Sequence, residues 1–155
     1  MQKRLCSPEC LARELRAGPR RGSAALRDVL AEVAAGAHSV AEAELLELIN
    51  AAGLPAPLCN HNLYVERTFI ARPDMWWPDA GVAVEVDSRE WHLLPEHAEQ
   101  TTRRHNLMGV HGIIVLHFTP RQVREEAAWV IEQIRVALTK GHARPRLLLH
   151  TRPAT

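Results

Sequence analysis

One stretch organises the chain: Arg72-Pro-Asp-Met-Trp-Trp-Pro-Asp-Ala-Gly-Val-Ala-Val-Glu-Val-Asp-Ser-Arg-Glu-Trp-His92. Its centre, residues 82–87, is rich in β-branched side chains and bounded by turn-forming residues, which predicts a buried strand. Alternate residues of a strand face opposite sides, so Glu85 and Asp87 share one face and the valines between them share the other. Two carboxylates on one face repel each other unless a cation or a proton compensates them.

Two further polar residues flank this strand. Asp74 lies upstream of it, and His92 follows it closely. Carboxylate oxygens are the ligands that Mg²⁺ and Mn²⁺ prefer, so Asp74, Glu85 and Asp87 are candidate metal ligands for phosphodiester hydrolysis. The alternative is that Glu85 and Asp87 line a solvated strand face. The cost of burying unpartnered charges, together with Asp74 and His92, favours a site.

At these residues a resemblance emerges. Three motifs in this order, Arg72-Pro-Asp74, Val82-Ala-Val-Glu-Val-Asp87 and Trp91-His92, resemble those of a bacterial family of nuclease-like domains. That family is related to the very short patch repair endonucleases and belongs to the PD-(D/E)xK superfamily. The similarity covers residues 39–138. It implies an α/β fold with a restriction-endonuclease-like core, a mixed central sheet flanked by helices, and Mg²⁺- or Mn²⁺-dependent cleavage of DNA.

The resemblance also implies roles for individual residues. Asp74 would bind the metal and Glu85 would be the second carboxylate. In the mechanism that we expect, Asp74 and Asp87, together with Glu85 and the Val86 carbonyl, hold one or two Mg²⁺ ions. Asp87 stands where the superfamily normally has lysine. His92 matches a histidine that the repair endonucleases use. We expect it to act as general acid or base, because an ordinary imidazole titrates near neutral pH.

Helix-borne residues complete the predicted site. Ser39 and Glu42 form a capping-box pattern, and the resemblance places Glu42 at the edge of the active site as an outer ligand of the metal or its water. Arg103 and Arg104 are candidates for binding phosphate, because guanidinium groups fit phosphate oxygens. A solvated helix face is the alternative for both. The family pairs the arginine matching Arg104 with an aspartate, and Thr101 takes that place here.

The rest of the pattern predicts the order helix, helix, hairpin, acidic strand, helix, strand, helix. The predicted elements are helices over 23–36 and from 39, a hairpin turning at 66–68, a helix over 95–110, a strand over 113–118 and a last helix from 119. We expect Trp76 and Trp77 to pack in the core rather than stack on bases. His117 is interpreted as a core or sheet-face histidine. We divide the chain into a basic arm (1–22), a nuclease-like domain (23–140) and a loose tail (141–155).

Composition constrains the function only weakly. The chain has 155 residues, 46% of them hydrophobic, which suits one domain with one sizeable core. A net charge of +1 does not indicate a nucleic-acid-binding protein, so contacts with DNA would come from local clusters. Three cysteines without a close pairing pattern favour a reducing compartment. The sequence has no long apolar run, and we predict a cytoplasmic location without membrane contact.

The predicted function is therefore a metal-dependent DNA endonuclease, in DNA repair or phage defence. Two alternatives remain open. The missing lysine and Thr101 suit a catalytically decayed binding module, of the kind that the family contributes to antitoxin-like proteins of abortive-infection systems. A partner-binding domain whose acidic strand faces solvent is the second alternative.

Overall fold

The computed structural model describes Leu15 and residues 24–86 and 95–154. The helices are α1 (Ala24–Ala51), α2 (Pro95–Val110), α3 (Pro120–Glu125) and α4 (Ala127–His142). The strands are β1 (Leu58–Cys59), β2 (His61–Val65), β3 (Thr68–Ala71), β4 (Met75–Trp77), β5 (Val82–Val86), β6 (Ile114–Phe118) and β7 (His150–Pro153). The protein is thus mixed α/β, as predicted.

The main sheet is mixed and flanked by helices, which confirms the predicted architecture at that level. Its strand order is β1-β4-β5-β6, with β1, β4 and β5 antiparallel and β6 parallel to β5. A parallel neighbour needs a crossover connection, and α2 lies in the segment between β5 and β6. A second, antiparallel sheet has the order β3-β2-β7.

Strand β5 separates two cores. Val82, Val84 and Val86 are fully buried on one face, in a cluster with apolar residues of α1, α3 and α4. Ala83 faces the other way, into a cluster with Trp76, Met108 and apolar residues of the second sheet. This alternation places Glu85 on the α2 side of the sheet and confirms that it faces away from the valines.

The first two predicted helices form a single helix in the structure. Helix α1 runs without a break for 28 residues, so the predicted stop at Gly36 and the capping box at Ser39 are wrong. A lone glycine costs a helix interior only about 1 kcal/mol, whereas ending the helix leaves up to four backbone groups at each new end without partners. The buried residues Ala41, Leu45 and Ile49 recur every four positions and dock its last turns on β5.

The last predicted helix, by contrast, is divided into two helices, α3 and α4. Thr119 and Gln122 cap α3 reciprocally, with Gln122 N–H donating to Thr119 Oγ1 at 3.2 Å and Thr119 N–H donating to Gln122 Oε1 at 3.0 Å. The helix ends at Glu125, and α4 starts after Glu126, whose backbone is non-helical. Its apolar stripe still packs on the main sheet through residues such as Val130 and Ile134.

The C-terminal segment contains a strand rather than a loose tail. Residues of β7 pair with β2 from His61↔Pro153 to Tyr64↔His150, so the prediction of a loose tail is wrong there. Leu147 and Leu149 pack against the second core and hold the segment in place. Without β7, β2 would present an unpaired edge. Among the described helices, none has the length and apolar character that spanning a membrane requires.

Candidate functional site

Two of the predicted carboxylates meet in one cleft. Asp74, from the segment before β4, and Glu85, from β5, both line a cavity of about 420 Å³. The residues that line it are Asn60, Asn62, Phe69, Arg72, Asp74, Glu85 and Arg104. Two acidic and two basic side chains therefore share a polar cleft that is large enough for a small ligand or one nucleotide unit.

Asp74 is anchored by the backbone of the acidic strand. Its Oδ2 accepts a hydrogen bond from the Val86 N–H at 2.7 Å. Pairing of β4 with β5 ends at Met75↔Val84, and continuing the register would place Pro73 opposite Val86. The β4–β5 pairing has ended there, and the Asp74 carboxylate is the acceptor for this N–H. The aspartate is thus held at the carboxyl end of β5, where Glu85 also lies.

Glu85 is buried and charge-compensated. It is 3% exposed, so a solvated strand face is wrong for this residue. Arg104 Nη2 donates to its Oε2 at 2.8 Å, and His105 Nε2 lies 3.0 Å from the same oxygen. His117 is its register partner on β6, with Nδ1 3.8 Å from Oε2. The compensation that the sequence predicted comes in part from Arg104, and two histidine nitrogens lie beside the same oxygen.

The compensation is incomplete. Glu85 Oε1 and Arg104 Nε are buried and have no hydrogen-bond partner within the described part of the chain. Leaving a buried polar group unsatisfied costs about 1–3 kcal/mol, and more for a charged one. Such atoms in a folded protein indicate a missing water, ion or ligand, or a strained functional site. Here both occur in one ion pair at the cleft.

Three side chains in this region could together hold a metal ion. One ligand atom each of Glu85, His105 and His117 lies within 4.8 Å of the others. Two of the three are histidines, and neither was predicted as a site residue. His117 was interpreted as a core or sheet-face residue, and it does lie on the sheet face beside Glu85. His105 was missed, although its spacing from the buried Met108 places both on the inner face of α2.

Glu42 lies at the edge of the same region. Asn60, which lines the cleft, donates from Nδ2 to Glu42 Oε2 at 3.4 Å. The pKa of the adjacent Cys59 thiol is raised, first by burial and then by the negative charges of Glu42 and Asp74. Asn60 also donates its backbone N–H to the Asp74 carbonyl at 2.9 Å, so one residue links Glu42 to Asp74.

The other predicted residues are less close to the cleft or lie outside the described residues. Asp87 and His92 belong to the undescribed segment between β5 and α2. Arg103 is exposed on α2 and, unlike Arg104, is not part of the cleft lining that the structure describes. Trp76 and Trp77 are buried, and Trp77 Nε1 donates to the Pro55 carbonyl at 2.7 Å. These two tryptophans are core residues, as predicted.

An aromatic side chain borders the cleft. Phe69 on β3 lines it and is 51% exposed. A bulge sets this orientation: Tyr64↔Phe69 and Leu63↔Ala71 are register partners, so Ile70 is the extra residue. Phe69 contacts the Tyr64 ring edge-on at 5.7 Å, and Arg152 of β7 lies 5.3 Å from the centre of that ring. The outer face of the second sheet is thus aromatic and basic where it meets the cleft.

The region therefore combines a buried carboxylate, a second carboxylate anchored at a strand end, two imidazoles and a partly exposed guanidinium. The donor set suits a divalent cation, and the arginines suit an anionic substrate. Comparison of the chain with protein-family models, with curated proteins and with solved structures gives no match.

Proposed function

We propose that this protein is a metal-dependent DNA endonuclease that hydrolyses phosphodiester bonds in the cleft between Asp74 and Glu85. In this proposal the mixed sheet is a restriction-endonuclease-like core. The observation that carries the proposal is that Asp74 and Glu85, eleven positions apart, line one cleft at the end of β5. The unpartnered Oε1 of Glu85 supports it, because a carboxylate oxygen buried there suits a cation.

Each cleft residue has a role in this proposal. Asp74 and Glu85 would hold the cation, and Asp87, which lies outside the described residues, is proposed as a further ligand. A bound Mg²⁺ or Mn²⁺ ion would activate a water and neutralise charge on the scissile phosphate. Arg104 has five N–H donors, of which Nη2 contacts Glu85 at 2.8 Å, so others can bind a phosphate oxygen. His92 transfers the proton, and Glu42 orients an outer water through the cleft edge.

The substrate assignment is supported by the surroundings of the carboxylates. Arg72 and Arg104 line the cleft and can bind backbone phosphates. Phe69 offers an exposed ring on which a base can stack. A biological role in DNA repair or phage defence, and a cytoplasmic location, belong to the same proposal.

The test is nicking of a supercoiled plasmid with Mg²⁺ or Mn²⁺. Asp74→Asn removes the charge but keeps an acceptor for the Val86 N–H, so it perturbs the fold less than alanine would. We expect this variant to lose nicking, whereas Asp79→Asn, in an exposed pair with Arg146, keeps the wild-type rate. Equal nicking by Asp74→Asn and the wild type would defeat the proposal.

A second candidate has its own observation. Because Arg104 already forms an ion pair with Glu85, the cleft can be stable without a cation, as in a catalytically inactive binding module. Such a module would bind DNA, or a partner in an antitoxin-like or abortive-infection system, without cutting. It would show DNA affinity that falls steeply with salt, and no nicking with either metal.

A further inference from the structure

We propose that Glu85, His105 and His117 form a binding site for a divalent transition-metal ion of the Zn²⁺ class, rather than for Mg²⁺. The inference goes beyond the proposed endonuclease, because this site would bind its ion even if the cleft cuts no phosphodiester. It also differs from the all-carboxylate site predicted from the sequence, with which it shares only Glu85.

The distances suit a single ion. His105 Nε2 and His117 Nδ1 lie 3.0 and 3.8 Å from Glu85 Oε2. Ligand atoms about 2.0–2.2 Å from one zinc ion lie roughly 3.0–3.6 Å from each other in the usual coordination geometries. The observed separations bracket this range, so small side-chain rotations bring all three atoms to one ion.

The three ligands are mounted on rigid elements. Glu85 and His117 are register partners on the parallel strands β5 and β6, and therefore share a face. His105 reaches the same point from α2, with its ring 4.1 Å from that of His117 and tilted by 45°. Ligands on packed strands and a helix are held close to their binding geometry before the ion arrives, which reduces the entropic cost of binding.

A separate observation points to a ligand at this place. Glu85 is 3% exposed, and its Oε1 has no hydrogen-bond partner in the part of the chain that the structure describes. Arg104 donates to Oε2, the oxygen that both histidine nitrogens approach. Each carboxylate oxygen has two lone pairs, and Oε1 has no partner among the described residues, so Glu85 can bind a cation beside the histidines while it keeps the arginine.

The donor set selects the class of ion. Imidazole nitrogen binds Zn²⁺, Co²⁺, Ni²⁺ and Fe²⁺ well, whereas Mg²⁺ prefers carboxylate and water oxygens. Two histidines and a glutamate also leave coordination positions open, which is the arrangement of catalytic zinc sites. We therefore expect one tightly bound Zn²⁺ or Co²⁺ ion per chain, and Mg²⁺ binding at least tenfold weaker at this site.

The experiment is a titration of the full, untagged, chelator-treated chain with Zn²⁺ by calorimetry and with Co²⁺ by visible absorption. His105→Ala and His117→Ala should each weaken Zn²⁺ binding at least tenfold. His111→Ala, a histidine outside the cluster, should bind as the wild type does. The Co²⁺ spectrum should lack a thiolate charge-transfer band, since no cysteine belongs to the proposed site. Unchanged affinity in both cluster variants, or a thiolate band, would overturn the inference.

A second measurement protects against variants that fail to fold. In the unmodified chain, Co²⁺ should shift the ring protons of two histidines strongly in NMR spectra, and shifts of other histidines instead would also overturn the inference. Nicking is scored separately. Zinc binding through the cluster without any cleavage would keep the metal site and remove the endonuclease. If the protein cleaves DNA and neither histidine variant changes metal binding, the endonuclease stands and the proposed zinc site does not.

Discussion

At the scale of single residues, Glu85 is the group that three other charged and polar side chains of the site contact. A carboxylate that is 3% exposed needs compensation, and Arg104, His105 and His117 surround its Oε2. Removing one partner of a buried ion pair is more costly than replacing both, because the remaining charge stays buried without compensation. Substitutions in the Arg104–Glu85 pair therefore measure how much the stability of the fold depends on compensating the buried Glu85 carboxylate.

We predict that Arg104→Met destabilises the protein by about 3 kcal/mol, the low end for breaking a buried pair, because the arginine is partly exposed. Adding Glu85→Gln to that variant should recover most of the loss. Urea unfolding measures both, and Arg135→Met, in an exposed pair with Glu132, is the control, with an expected loss below about 0.5 kcal/mol. Similar losses in Arg104→Met and the control would contradict the prediction.

The Cys59 thiol reports on the carboxylates near it. Its pKa is raised by burial and by the charges of Glu42 and Asp74, so at neutral pH less of it is the reactive thiolate. Glu42→Gln removes one of these charges and should lower that pKa, which speeds alkylation by iodoacetamide at fixed pH. Glu47→Gln, on an exposed part of the same helix, should have no effect. The rate at Cys59 is read by mass spectrometry of the peptide, and equal rates in all three proteins would place Glu42 away from the cleft.

At the scale of elements, the site depends on two helices and a bulged hairpin packed on β5. Helix α2 supplies Arg104 and His105, and the bulge in β3 exposes Phe69 while burying Ile70 and Ala71. On the opposite face, α4 packs so closely on the turn before β5 that a side chain on Gly141 would collide with the Ala80 carbonyl. The packing of these elements thus fixes the position of the site, and it leaves no room for a side chain at Gly141 on the opposite face of the sheet.

Two glycine substitutions should have opposite signs. Gly141→Ala forces α4 away from Ala80 and should cost about 1–3 kcal/mol, despite the better helix propensity of alanine. Gly109→Ala in α2 meets no atom within 4 Å and should stabilise by roughly 0.5–1 kcal/mol. Thermal or urea unfolding compares them. A stabilising Gly141→Ala would mean that α4 does not pack on this turn.

Phe69 tests the aromatic border of the cleft. If a base stacks on it, Phe69→Ala should weaken binding of a single-stranded oligonucleotide by about 1–3 kcal/mol, measured by fluorescence anisotropy with EDTA present to prevent cleavage. Phe69→Tyr should retain the affinity, because it keeps the ring. Leu148→Ala, an even more exposed apolar control on another segment, should change nothing. Wild-type affinity in Phe69→Ala would remove this residue from the substrate site.

At the scale of the whole molecule, the C-terminal strand closes the second sheet. β7 covers the edge of β2, and Arg152 from β7 lies over the Tyr64 ring beside Phe69. The last residues of the chain thereby support the outer face of the hairpin that borders the cleft. A segment that looks dispensable in sequence contributes to the shape of the site.

Ending the chain at Leu149 removes β7 and should cost about 2 kcal/mol, a few net backbone hydrogen bonds. Hydrogen exchange should show lost protection at the amides of β2, while those of β5 keep theirs. Removing only Ala154 and Thr155, which lie beyond β7, is the control and should have no effect. Unchanged protection in β2 after removal of β7 would contradict the observed pairing.

Local patterns were enough to predict much of this protein. The acidic strand, the hairpin, the helix beginning at Pro95 and the strand that follows it were all predicted from periodicity and turn residues, which act within a few positions. Helix boundaries were predicted less well: Gly36 did not end α1, because a single glycine costs a helix interior little. The last helix is divided at Glu126, whose backbone is non-helical.

The partners of Glu85, in contrast, were decided only by the tertiary structure. His117 is 32 positions away in the sequence and becomes a neighbour because β6 pairs parallel to β5 in one particular register. Arg104 and His105 join them because α2 crosses over that pair of strands. Sequence periodicity predicts which face of its strand or helix a residue occupies. The order of the strands and the placement of the helices arise because both hydrophobic cores have to be buried at once. That long-range requirement turns one predicted carboxylate into a site with two histidines and an arginine.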